Sequence, residues 1–145
     1  MLDFSHNRWT SKAEAALKVL TSTEKESVKK LILSSNHLAV TPGSIKMFVN
    51  LEELWLNDNE LKGFPCHLEW FPRLRVLRLD QNFLCEIPQS IRSLKRLEVL
   101  GLCDNLLMEI PAWIGDLSQL KMIGLDSTRI DRLPESIAKL SNLHT

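Results

Sequence analysis

Leu74-Arg75-Val76-Leu77-Arg78-Leu79-Asp80-Gln81-Asn82-Phe83-Leu84 reads LxxLxLxxNxL, followed by Ile87-Pro88, Ile91 and Leu94 before Leu97 opens the pattern again. Five copies run through the chain at a constant spacing of 23 residues, without insertion or deletion. The opening position is Val28, Leu51, Leu74, Leu97 and Leu120, with Leu143 beginning a further turn. The polar position is Asn36, Asn59, Asn82 and Asn105, then Thr128; the proline is Pro42, Pro65, Pro88, Pro111 and Pro134. A fixed period of this size predicts a solenoid, in which each repeat buries its apolar face only against its neighbours.

The two inner leucines of each copy are two residues apart and so share one face of a strand. This places short strands at Leu31–Leu33, Leu54–Leu56, Leu77–Leu79, Leu100–Leu102 and Ile123–Leu125, each able to pair in parallel with the next. The later apolar residues turn the chain back and fill the interior. The Asn row falls where the chain leaves the strand. An amide there carries two donors and an acceptor, enough to serve its own turn and the adjacent one, so its expected role is structural. Thr128 lacks those donors, and the fifth turn should be held less firmly.

The segment before Val28 departs from the period. Leu2, Phe4, Asn7 and Trp9 repeat the spacing of Leu31, Leu33, Asn36 and Leu38, but Asn7 and Asn36 are 29 positions apart. The extra length reads as a helix: Ser11 and Glu14 have capping-box spacing, and Ala13, Ala16, Leu17 and Leu20 form one apolar face.

The LxxLxLxxNxL pattern resembles the leucine-rich repeat family, over essentially the whole chain from Leu2 to Leu143. The tail LPxxIxxLxxL (Leu133-Pro134, Ile137, Leu140, Leu143) is similar to intracellular signalling scaffolds: the Ras–Raf scaffold Shoc, the Ras suppressor protein, Scribble, Erbin and the repeats of Roco proteins. The first repeat looks like the longer helix-bearing type of ribonuclease inhibitor. The resemblance implies an α/β repeat fold, a right-handed leucine-rich-repeat solenoid (a horseshoe arc) whose parallel concave sheet binds protein partners. It carries over no catalytic residue. The expected organisation is a single domain, 1–145: a longer first repeat at 1–27, five 23-residue repeats at 28–142 and the start of another at 143–145. Both ends lack the polar caps that solenoids need, so a fragment of a larger repeat protein is expected.

Lys plus Arg and Asp plus Glu number 18 each, so no global charge draws the chain to nucleic acid or to a membrane surface. No stretch has the length of a transmembrane helix, and Met1–His6 lacks a basic start and apolar run. Cys66, Cys85 and Cys103 lie in different repeat positions, and no Asn-x-Ser/Thr sequence occurs. Extracellular members of the resembled family usually carry cysteine-rich end caps. Free thiols in a reducing compartment, and so a cytoplasmic location, are expected.

No chemistry-bearing constellation emerges. His6, His37, His67 and His144 are dispersed, without metal-ligand spacing. Cys103 has no His in a corresponding row to serve as base. The expectation is a non-catalytic chain with no metal, cofactor or small-molecule substrate.

What remains is surface. Strand residues alternating with the leucines face outward on the concave side. One row is Lys30, Glu53, Val76, Val99 and Met122; the next is Ile32, Trp55, Arg78, Gly101 and Gly124; a third is Ser34, Asn57, Asp80, Cys103 and Asp126. Val76, Val99 and Met122 form an apolar strip that the core does not explain. Gly101 and Gly124 deepen it into a trough, walled by Trp55 and Arg78, side chains of types enriched at binding hot spots. Asp58, Asp80, Asp104 and Asp126 rim it with negative charge. The expected function is a protein–protein interaction module, a scaffold or adaptor in signalling. The alternative is the recognition segment of a larger enzyme, a Roco-type GTPase or ubiquitin ligase, with its catalytic domain outside these residues.

Overall fold

The computed structural model describes all residues except Ser11, Cys66 and Thr145. Six short parallel strands form one open sheet in sequence order: β1 (Leu2–Asp3), β2 (Lys30–Ile32), β3 (Glu53–Trp55), β4 (Val76–Arg78), β5 (Val99–Gly101) and β6 (Met122–Gly124). The register follows the 23-residue period: Leu31, Leu54, Leu77, Leu100 and Ile123 align across successive strands, as do Ile32, Trp55, Arg78, Gly101 and Gly124. Each strand lies one residue earlier than the sequence reading placed it. The chain already bends at the second inner leucine, although Leu33, Leu56, Leu79 and Leu102 still donate their N–H groups to the neighbouring strand at 2.8–3.0 Å.

The repeated leucines build one continuous core. Leu31, Leu54, Leu77 and Leu100, and their partners Leu33, Leu56, Leu79 and Leu102, are fully buried. On the far side, the proline of most copies opens a short 3-10 helix: Gly43–Met47, Gln89–Ser93, Ala112–Asp116 and Glu135–Lys139 each follow it directly. Proline suits that cap position because its fixed φ matches the extended backbone there, while its carbonyl accepts the first 3-10 bond from Ile45, Ile91, Ile114 or Ile137. In the second copy the 3-10 segment is shorter, Leu68–Trp70.

The Asn row closes the turns. Asn82 is 4% exposed; its Nδ2 donates to the carbonyls of Leu56, Leu79 and Asp80, and its Oδ1 accepts from the Leu61 N–H at 3.0 Å. Asn59 and Asn105 repeat the same four bonds one turn either side. Asn36 does the same toward the first turn, accepting from Asn7 and Trp9. Thr128 makes one bond, to the Leu125 carbonyl at 2.8 Å. The residue before each of these positions takes a left-handed backbone although none is glycine: His6, Ser35, Asp58, Gln81, Asp104 and Ser127 have φ between 53° and 58°. That conformation aims the following side chain back under the strand.

The longer first turn holds two helices, α1 (Lys12–Lys18) and α2 (Ser22–Ser27). Ala13 and Leu17 bring the apolar face of α1 into the core, fully buried. The expected capping partner Ser11 lies outside the described residues. Glu14 is engaged elsewhere: its carboxylate accepts from the N–H and hydroxyl of Ser44 at 3.0 and 3.1 Å, and pairs with Lys18. Those bonds hold its pKa below the ordinary value, the Ser44 N–H first among them. The capping box belongs to α2, where Thr21 accepts from the Glu24 N–H and Glu24 reaches back to the Thr21 N–H.

Candidate functional site

The parallel register sets the outward rows side by side, about 4.8 Å apart per strand. Val76 and Val99 are half-buried and Met122 is 49% exposed, so the apolar strip runs over three consecutive strands. At its N-terminal end Trp55 is fixed from both flanks. Lys30 Nζ lies 4.0 Å from the ring centroid and Arg78 Cζ 5.9 Å. The indole N–H donates to Glu53 at 3.1 Å, and the same carboxylate oxygen pairs with Lys30 at 2.8 Å. Of the two cations, Lys30 lies closer over the ring than Arg78. A half-exposed indole held by a salt-bridged lysine loses little rotamer freedom on meeting a ligand, so binding costs less entropy there.

The two glycines differ in their surroundings. Gly101 is buried, and a Cβ placed on it would collide with the carboxylate of Asp80. Asp80 leans across it to accept from the Cys103 N–H at 3.1 Å. The trough floor at Gly101 is therefore a carboxylate and not bare backbone. Gly124 lies under the Cys103 sulfur, 2.8 Å from where its Cβ would stand. Asp80 is half-buried inside the trough, while Asp58, Asp104 and Asp126 are exposed along the C-terminal ends of the strands. Asp58 and Asp104 occupy the left-handed positions, which short polar side chains tolerate better than others.

The half-buried Cys103 thiol faces the Asp126 carboxylate. Burial, then the neighbouring charges of Asp80 and Asp126, hold its pKa above the ordinary thiol value, the opposite of what a nucleophile needs. Cys85 is an exposed free thiol. Among the described residues, no three His, Cys, Asp or Glu side chains gather as a metal site. No described helix is long and apolar enough to cross a membrane.

One feature escaped the sequence reading. The position just before each strand carries Lys29, Glu52, Arg75, Glu98 and Lys121, alternating in sign. Their backbones form a continuous ladder of N–H···O bonds, 2.7–2.8 Å long. Their side chains pair along it: Lys29–Glu52 at 3.1 Å, Arg75–Glu98 at 2.6 Å and Lys121–Glu98 at 2.8 Å. Hydrogen bonds from Arg75 and then Lys121 pull the Glu98 pKa down to about 2. The signal is present in the sequence, one position upstream of the first outward row.

The family model described as Leucine rich repeat matches residues 72–130. The chain superposes on a leucine-rich-repeat protein of Leptospira interrogans with a TM-score of 0.83 at 28% identity, over 99% of this chain and 41% of that one. Internalin C2 of Listeria monocytogenes gives 0.81 at 23% identity, over 98% and 57%, a likeness of fold. The ectodomain of the Arabidopsis thaliana receptor kinase GASSHO1/SCHENGEN3, solved in complex with Casparian strip integrity factor 2, gives 0.72 at 32% identity, over 86% and 16%. The chain thus spans less than two thirds of each of these structures. No curated protein matches it in sequence. Six parallel strands in one open sheet, the repeated Asn turns and these likenesses define an α/β leucine-rich-repeat solenoid, a fold that suggests a protein–protein interaction module.

Proposed function

We propose that this chain is a non-catalytic scaffold or adaptor module that binds a protein partner on its concave face, over the strip from Trp55 to Met122. The observation that carries the reading is the apolar run Val76, Val99 and Met122 on three adjacent strands, left half-buried or exposed beside an immobilised Trp55. Contiguous apolar surface rimmed by polar groups is characteristic of interaction sites, and a rigid aromatic is a typical anchor. Asp58, Asp104 and Asp126 favour a partner with a basic edge on that side and set its orientation more than its affinity. Arg78 and Asp80 line the centre, over Gly101 and Gly124. The complex in which the GASSHO1/SCHENGEN3 ectodomain was solved is consistent with this use of the fold.

We place the module in the cytoplasm, in signal transduction, among repeats like those of Shoc, the Ras suppressor protein, Scribble, Erbin and Roco proteins. The free thiols of Cys85 and Cys103 and the LPxxIxxLxxL tail support that placement. The test is affinity capture with the wild-type chain against a Val99→Gln, Met122→Gln variant and a Trp55→Ala variant. Both should lose a protein that the wild type retains, with unchanged circular dichroism. Capture of the same proteins by all three would refute the concave site. These substitutions are cleaner probes than filling Gly101, where a new side chain also displaces Asp80.

A further inference from the structure

We propose that the N-terminal rim of the sheet, at Arg73, Lys95 and Arg96, is a second docking site that takes a short acidic segment of a protein partner. These side chains, with Glu52, Arg75, Glu98 and Gln119, line a cleft of about 740 Å³. Four of the lining residues are cations and two are carboxylates, although the chain as a whole balances at 18 and 18. The two carboxylates are already committed: Glu52 to Lys29, Glu98 to Arg75 and Lys121. Arg73, Lys95 and Arg96 are exposed and form no ion pair among the described residues.

The solenoid itself does not account for the two arginines. Their row runs Asn50, Arg73, Arg96, Gln119 and Asn142. Asn50 and Asn142 use the position structurally, donating Nδ2 to a carbonyl of the preceding turn, Glu26 at 2.9 Å and Ser118 at 3.0 Å. Arg73 and Arg96 make no such bond among the described residues. The two middle repeats thus carry, in place of an amide able to close the turn, a planar fork of donors suited to carboxylates. Equivalent positions in adjacent repeats are about 4.8 Å apart. From the repeat of Arg73 to that of Gln119 is about 10 Å, the span of roughly three residues of extended chain.

The occupant follows from the chemistry of the lining. A single-stranded nucleic acid is held by aromatic platforms for its bases as well as by cations along its backbone. No aromatic side chain lines it to stack a base. A few carboxylates of a peptide fit between the fixed glutamates and reach the unpaired cations. This surface is distinct from the concave strip, so the two assignments can fail separately.

The test uses a fluorescein-labelled glutamate decapeptide as probe, with a glutamine decapeptide as control and an oligouridylate of equal length as competitor. Arg73→Ala, Lys95→Ala, Arg96→Ala should weaken glutamate-peptide binding about tenfold or more. Raising salt from about 0.02 M to about 0.5 M should weaken it likewise. Val99→Gln, Met122→Gln should leave it unchanged. Because the three side chains are exposed, the triple variant is expected to melt with the wild type, which circular dichroism verifies; Arg73→Gln, Arg96→Gln, which removes charge while keeping an amide able to bond a carbonyl, is the second variant. Equal affinity of wild type and both rim variants for the glutamate peptide overturns the proposal. So does tighter binding of the oligouridylate through the same residues, which would assign the cleft to nucleic acid.

Discussion

β5 and β6 are built on the same pattern, Val-Leu-Gly and Met-Ile-Gly, and are buried to different degrees. In β5 and the turn after it, Leu100 and Leu102 are fully enclosed and Asn105 makes four bonds. In β6 the equivalent Ile123 and Leu125 are half-buried, Thr128 makes one bond, and Ile130 and Ile137 stay partly exposed. Among the described residues β6 has a strand on one side only. Burial in a solenoid belongs to the junction between repeats more than to the repeat, so equal sequence positions carry unequal energy.

The contrast is sharpest in the core. Leu100→Ala is expected to cost roughly 3 kcal/mol, within the usual range for a fully buried leucine. Leu125→Ala should cost under about 1.5 kcal/mol, because less of the side chain leaves water on folding. Urea unfolding of the two variants decides the matter; equal losses would mean that the last strand is as well covered as the fifth.

The turn should show the same inequality at smaller scale. Asn82→Ala strands the Leu61 N–H and removes a donor from three carbonyls, a loss of roughly 1–3 kcal/mol. Thr128→Asn should be neutral or stabilising, since it offers the donors that the last turn lacks. A destabilising Thr128→Asn, or an Asn82→Ala that melts with the wild type, would break the view that the amide row ties neighbouring turns together. Amide exchange gives the same comparison without mutation: protection should be highest from Leu54 to Leu102 and lowest after Thr128.

A finer difference lies in the left-handed residues. Asp58 and Asp104 suit that backbone, whereas Gln81 at φ 55° does not. Gln81→Asn should raise stability by roughly 0.5 kcal/mol, a fraction of the cost of a left-handed conformation. An unchanged or lowered midpoint would show that the turn stores no strain there.

The smallest expected effect is electrostatic. Glu98, pulled down to about 2 from 4.5, is bonded by both Arg75 and Lys121. A depressed carboxylate contributes stability that is complete above its unfolded value and is lost as pH falls through its folded one. The ladder should therefore weaken only below pH 4.5, toward about 2. In Arg75→Ala the Glu98 carboxyl should titrate closer to 4.5, as followed by NMR, with little change in neutral-pH stability because the pair is exposed. An unmoved titration would remove Arg75 as the cause.

The fold was legible because a solenoid repeats one local solution. Leucines two apart named the strand face, the constant period named the register, and the Asn row named the turn. Three things were not legible, each for a physical reason. The second helix, α2, with its Thr21–Glu24 capping box, was hidden because Ser22–Ser27 carries no apolar periodicity. Asp80 lies over Gly101 because an unbonded N–H at Cys103 attracts it, and empty space at a glycine says nothing of which neighbour leans in. The ion-pair ladder escaped because alternating charges just ahead of a strand look like ordinary solvated residues until the register stacks them.

The constancy of that register also makes chain length a stepwise variable. Removing residues 74–96 would join Arg73 to Leu97, setting Leu97 where Leu74 had been and Asn105 where Asn82 had been. Every backbone bond and every Asn bond across the new seam would find the same partner type, while Glu98 would exchange Arg75 for Glu52 as its neighbour. Removing one residue fewer would leave a mismatch along every row. Such an excision would set Trp55 beside Gly101 and delete Val76, Arg78 and Asp80 together, so a lineage of such proteins can remodel its ligand surface in whole turns without rebuilding its interior.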